Sequence, residues 1–173
     1  MKTISVISVL SLMLIAMDAQ AQRSACGNLD TKFDVKVSPF VSPVADAEKA
    51  VVYIIERDLT AQTFTTPSSR IAMDGEWLGE TKGDSYSYFT VTPGVHHLCA
   101  DTKFGGVGGG GQAFLHFNAN AGTTYFFEVR NMRVGDPKGN SGELSDVALM
   151  QLDEDQGEYR ISLSAFVSSQ RKN

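Results

Sequence analysis

Between residues 70 and 100 the chain reads RIAMDGEWLGETKGDSYSYFTVTPGVHHLCA, short apolar segments parted by Asp74-Gly75, Lys82-Gly83 and Pro93-Gly94. Apolar and polar positions that alternate over a few residues, then break at Gly or Pro, predict short antiparallel strands joined by tight turns. Asp74-Gly75 is a two-residue hairpin signal between strands at 70–73 and 76–79. The next strand, 85–91, puts Tyr86, Tyr88 and Thr90 on one face and Ser87, Phe89 and Val91 on the other. Pro93-Gly94 then turns the chain into 95–100.

The same pattern runs through the rest of the chain. Residues 50–55, AVVYII, are six apolar positions without polar relief. Such a run predicts a strand buried on both faces, central in its sheet and ended by Glu56-Arg57-Asp58. Phe33 to Val37 alternates like a short strand. Residues 113–119 and 123–130 read as a pair turning at Asn120-Ala121-Gly122, with Tyr125, Phe127 and Val129 toward the core. Phe126 falls on the opposite face, under the C-terminal segment, and 147–152 is a last strand. Residues 158–166 alternate like a strand, yet Asp153-Glu154-Asp155 suits the positive end of a helix, so a short helix is expected there. Many short strands on regular spacing predict an all-β, mainly antiparallel fold: a single small β-sandwich with a short C-terminal helix.

The N-terminus adds a second kind of information. Lys2 precedes an apolar run at 4–17, and Asp18-Ala19-Gln20-Ala21 places small residues where an export signal is cut, after Ala21. The fourteen-residue run is short of the roughly 20 residues a membrane-crossing helix needs. Cys26 follows shortly, but Arg23 stands where a lipid-attachment box wants an apolar residue, so lipidation is not expected. The domain plan is therefore a signal peptide at 1–21, an N-terminal extension at 22–46, a strand domain at 47–167 and a tail at 168–173. The expected place is outside the cytoplasm, periplasmic or extracellular.

The 173 residues carry a mild net charge of −5, spread along the chain with no Lys/Arg stripe. That excludes nucleic acid and anionic membrane surfaces as the expected partners. Two cysteines in a chain read as exported are most simply one disulfide, Cys26 to Cys99; two buried thiols are the alternative.

The segments VVYIIER, RIAMDGEWLGE, SYFTVTPGVHHLCA and AGTTYFFEVR resemble the exported bacterial envelope proteins grouped as domain of unknown function 2846. The Asp-Gly hairpin and the Pro-Gly-x-His segment are also similar to PEGA-type β-modules. The resemblance spans about residues 26–166. It implies a small exported β-sandwich without an assigned reaction. The paired ACG and HHLCA motifs resemble a subgroup in which both cysteines occur together, which favours the disulfide. No functional residues come with it.

Residue types able to do chemistry are few. His96, His97, Cys99 and His116 are metal-like in type, but His96 and His97 point to opposite faces of a strand, and a disulfide would withdraw Cys99. The glycine run at 105–111 lacks the Gly-Lys-Ser/Thr of a phosphate loop. There is no Gly-x-Ser-x-Gly elbow, and Asp74, Glu76, Asp84 and Glu128 are the carboxylates from which a hydrolytic pair could be drawn. Trp77, Tyr86 and Tyr88 are the aromatic set from which a binding surface could be drawn, although Trp77 is more simply read as a plug at one end of the core. The expectation is a non-catalytic binding or structural module of the cell envelope, without metal or cofactor, meeting another envelope protein or a surface glycan. The alternatives are a hydrolase of envelope polymers, or an inhibitor-like module presenting the loops at 105–111 or 136–142.

Overall fold

The computed structural model describes residues 26–27, 31–44, 46–58, 66–103, 110–134 and 144–172. The expected signal segment with its cut after Ala21, and most of the loops at 105–111 and 136–142, lie outside the described residues. In chain order the strands are β1 (Phe33–Val37), β2 (Ala50–Asp58), β3 (Ser68–Met73), β4 (Glu76–Lys82) and β5 (Ser85–Val91). There follow β6 (Gly94–Lys103), β7 (Gly110–Ala119), β8 (Thr124–Val134), β9 (Leu144–Leu152), helix α1 (Glu154–Ser162) and β10 (Ala165–Arg171). They form a six-stranded sheet, β1-β10-β5-β2-β8-β9, and a four-stranded sheet, β4-β3-β6-β7. The fold is thus mostly β, in two sheets with one short helix.

The turn signals mark the turns. Asp74 (φ 52°) and Gly75 (φ 83°) hold the left-handed conformations that a two-residue hairpin demands. The AVVYII run is central, between β5 and β8. Its side chains divide by parity. Ala50, Val52 and Ile54 enter the main core with Ile71, Leu98, Phe117 and Phe127 from both sheets, while Ile55 is buried on the opposite face with Tyr86, Phe126 and Leu152. The strand does not end at Ile55, however: it continues in register with β8 as far as Asp58↔Asn131. Pairing with β5 holds as far as Glu56, and pairing with β8 carries the strand on through Arg57 and Asp58.

The ends of the domain also differ from expectation. Asp153 caps α1, its carboxylate accepting the Gln156 N–H at 2.8 Å, with Glu154 and Asp155 in the first turn. The chain then re-enters the sheet as β10, through the segment expected to be a tail. β10 pairs antiparallel with β1 and briefly parallel with β5, so the expected N-terminal extension is an integral edge strand. Beyond Phe166 and the buried Val167, backbone pairing makes this strand, since FVSSQR has little apolar alternation. Both open sides are closed: the Glu80 N–H donates to Ser169 Oγ at 3.2 Å, and β7 packs on β9.

Cys26 and Cys99 form a disulfide with Cα atoms 5.5 Å apart. It pins the leading chain onto the outer face of the four-stranded sheet, where Phe33, Ala72 and Trp77 bury it.

Candidate functional site

The outer face of the six-stranded sheet is built in rows, because register brings residues of equal parity side by side. Tyr88, Tyr53, Phe126 and Leu152 form one row across β5, β2, β8 and β9. The next row is Phe166, Tyr86, Ile55, Glu128 and Met150. The rings touch. Tyr53 stacks on Phe126 (5.3 Å between centroids, 12° between planes) and Tyr88 on Phe166 (5.8 Å, 22°). Tyr53 also meets Tyr86 and Tyr88 at 6.3 and 5.8 Å, and Phe40, half exposed, closes one end over Tyr86, Tyr88 and Phe166.

Helix α1 covers the other end. A Cβ built at Gly157 would overlap the Phe126 ring, so only glycine lets the helix lie this close. Between helix and sheet a groove of about 350 Å³ is lined by Tyr53, Thr124, Phe126, Glu154, Glu158 and Ile161. Burial, reinforced by the neighbouring Tyr86 and Tyr88 phenols, raises the Tyr53 pKa above its usual 10.0. Burial likewise raises Tyr86. Both phenols are therefore neutral hydrogen-bond donors at physiological pH.

Of the three aromatics from which a binding surface could be drawn, the structure brings Tyr86 and Tyr88 together on this face. Tyr86 is nearly buried and Tyr88 half-buried. Trp77 does not join them. It is buried on the outer face of the other sheet, with the Arg70 guanidinium 4.5 Å from its ring centroid. Tyr53, Phe40 and Phe166 complete the set. Tyr53 could have been found from sequence, since it sits at odd parity in a strand whose even positions fill the core.

Beyond the aromatic rows the same face turns charged. Arg57 and Arg130 lie directly opposite each other on β2 and β8, an arrangement that like charges disfavour. Glu128, wholly buried, holds them. Its Oε2 accepts Arg130 Nε at 2.6 Å, and its Oε1 lies 3.5 Å from Arg160 Nε of α1 and 3.8 Å from Arg57 Nη1. The helix is thereby fastened to the sheet.

Between the sheets lies a second buried carboxyl. Glu56 Oε1 accepts Ser69 Oγ at 3.0 Å and Asn131 Nδ2 at 2.9 Å. Ser69 Oγ is 2.7 Å from Thr102 Oγ1, so with its one proton given to Glu56 it must accept from Thr102. Among the described residues Glu56 Oε2 and Asn131 Oδ1 have no hydrogen-bond partner. Burial pushes the Glu56 carboxyl up to about 8, against the pull of the hydroxyls and amide around it.

The other titratable arrangement is at the Asp74 turn. His96 Nδ1 is 2.6 Å from Asp74 Oδ2 and its Nε2 2.7 Å from the Thr92 carbonyl oxygen, while the His97 N–H donates to Asp74 Oδ1 at 2.8 Å. Both nitrogens of His96 face acceptors, an arrangement that suits the imidazolium. Burial works against that charge, but the Thr92 and Asp74 contacts outweigh it and raise the His96 pKa. With both nitrogens occupied, His96 is not placed to take a proton from a substrate. Asp74 thus ties its turn to β6.

Among the described residues no group of three or more His, Cys, Asp or Glu converges as a metal site, and no helix is long and apolar enough to cross a membrane. Set beside models of known protein families and beside curated proteins, the chain matches none.

Proposed function

We propose that this protein is an exported, non-catalytic binding module of the cell envelope, a small β-sandwich whose outer aromatic groove takes a glycan. The observation that carries the reading is the groove between α1 and the sheet. It joins the stacked Tyr53 and Phe126 rings to the carboxylates of Glu154 and Glu158. Sugar rings present apolar C–H faces to aromatic rings and hydroxyls to carboxylates, so both kinds of group are wanted in one site. The Cys26–Cys99 disulfide supports an oxidising compartment.

Three of the four carboxylates from which a hydrolase could be drawn are otherwise engaged. Asp74 holds His96, Glu128 holds arginines, and Asp84 Oδ1 accepts the Asp58 N–H at 3.2 Å. A second reading, a partner protein, is favoured by one observation. Val37, Phe40, Val41 and Val44 are all at least half exposed beside the aromatic face.

The test is titration of the purified protein with peptidoglycan fragments and envelope polysaccharides, followed by intrinsic tyrosine fluorescence and calorimetry. Saturable binding that Tyr53→Ala weakens at least about tenfold, the loss of one stacking contact of over 1 kcal/mol, supports the glycan reading. Binding unchanged by Tyr53→Ala, or no binding to any of these polymers, overturns it.

A further inference from the structure

We propose that His97 and His116 form a two-imidazole chelate for a divalent transition-metal ion, copper(II) in first place, on the outer face of the four-stranded sheet. The two histidines are Cα partners across the antiparallel β6–β7 pair. Directly opposed residues have Cβ atoms about 4.5–5.5 Å apart on the same face. Their ring centroids are 6.3 Å apart and both side chains are exposed. An ion roughly 2.0–2.1 Å from one nitrogen of each ring lies about 3.2 Å from each ring centre, so two rings sharing it stand up to about 6.4 Å apart. The spacing is close to the limit for a linear bridge, and rotation about the side-chain bonds that brings the ring centres roughly 2 Å closer, to about 4.5 Å, gives a right-angled arrangement at a common ion.

The surroundings leave these imidazoles free to ligate. Among the described residues neither ring has a hydrogen-bond or ion-pair partner, whereas both nitrogens of His96 are taken. Cys99, two residues along the same face, is in the disulfide and cannot bind metal. The site opens into a surface groove of about 570 Å³, whose lining includes Asp74 and Phe114. Both Asp74 oxygens already accept hydrogen bonds, so the donor set from this chain is two imidazole nitrogens.

That donor set decides the metal. A closed structural zinc site takes four protein ligands, and hard cations want oxygen. Imidazole nitrogen with the remaining positions left to water matches the tetragonal N,O preference of copper(II), which also leads the affinity order for such sites.

The experiment is calorimetric titration of the full, oxidised chain with copper(II) in a non-coordinating buffer, with electron paramagnetic resonance of the loaded protein. One ion per chain is expected, with a spectrum of two nitrogen donors. His97→Gln or His116→Gln each lowers the affinity roughly 100-fold, because the second ligand otherwise binds as an intramolecular step. Circular dichroism confirms that these exposed substitutions leave the fold intact. On the unaltered protein, zinc(II) followed by NMR gives an independent readout: the ring signals of His97 and His116 move together and those of His96 stay. Absence of saturable binding, stoichiometric binding that survives both substitutions, or a shift confined to His96 each overturns the proposal.

Discussion

Replacing Glu56 with glutamine tests the energetics of the core most directly. The wild-type carboxyl is wholly buried between the sheets and its pKa is raised to about 8, against 4.5 for the free group. Below pH 4.5 the group is protonated in both folded and unfolded chains, and its contribution to stability is fully present. As pH rises the unfolded chain releases the proton while the folded one keeps it, so stability falls until the folded group also ionises near pH 8. The gap is about three and a half pH units, and at ~1.4 kcal/mol each the loss is about 5 kcal/mol. That is a large share of a typical stability of roughly 5–15 kcal/mol. Glutamine is neutral throughout and close in shape, so Glu56→Gln removes the slope and spares the packing. Urea unfolding of both proteins at intervals from pH 4.5 to 9 isolates the effect as a difference, since every other carboxylate cancels. The substituted protein should be close to wild type at pH 4.5 and more stable by several kcal/mol at pH 8 or above. With slopes of about 1–3 kcal/mol/M, the midpoint separation is of order 2 M or more. Parallel stability curves would show that Glu56 is not held neutral and would refute the reasoning.

Three further outcomes follow from the packing. Gly157→Ala should destabilise by about 1–3 kcal/mol through the clash with Phe126, although alanine is the better helix former, and thermal unfolding reads the sign. Glu128→Gln removes the only buried charge among Arg57, Arg130 and Arg160 that the described contacts provide; a loss of about 3 kcal/mol in denaturant and increased amide exchange in α1 are expected. Removing the 73-residue cross-link by Cys26→Ser with Cys99→Ser should cost about 4 kcal/mol by the chain-entropy account, measured against oxidised protein, and a value near zero would contradict it.

Local pattern carried far along this chain. Alternation and turn chemistry marked out most strands, the Asp74-Gly75 hairpin, the central position of β2 and the acidic start of α1, because each depends on residues close in sequence. Parity within strands also assigned faces correctly, setting Tyr86 and Tyr88 opposite Phe89 and Phe126 opposite Phe127. β10 escaped this logic. Its pairing with β1, 130 or more positions earlier, is a matter of backbone hydrogen bonds, and little in FVSSQR announces it.

By itself, then, the sequence determined which segments extend, where they turn, which side chains share a face and which two cysteines were available to join. Tertiary structure alone decided what stands opposite what. It set β2 parallel to β8, placed Arg57 against Arg130 over Glu128, brought His97 beside His116, and put Trp77 on a different sheet from the tyrosines. The physical reason is range. Conformational preference acts over a few residues, whereas register and sheet order come from the burial of a whole surface at once, in which each strand's partner depends on every other strand.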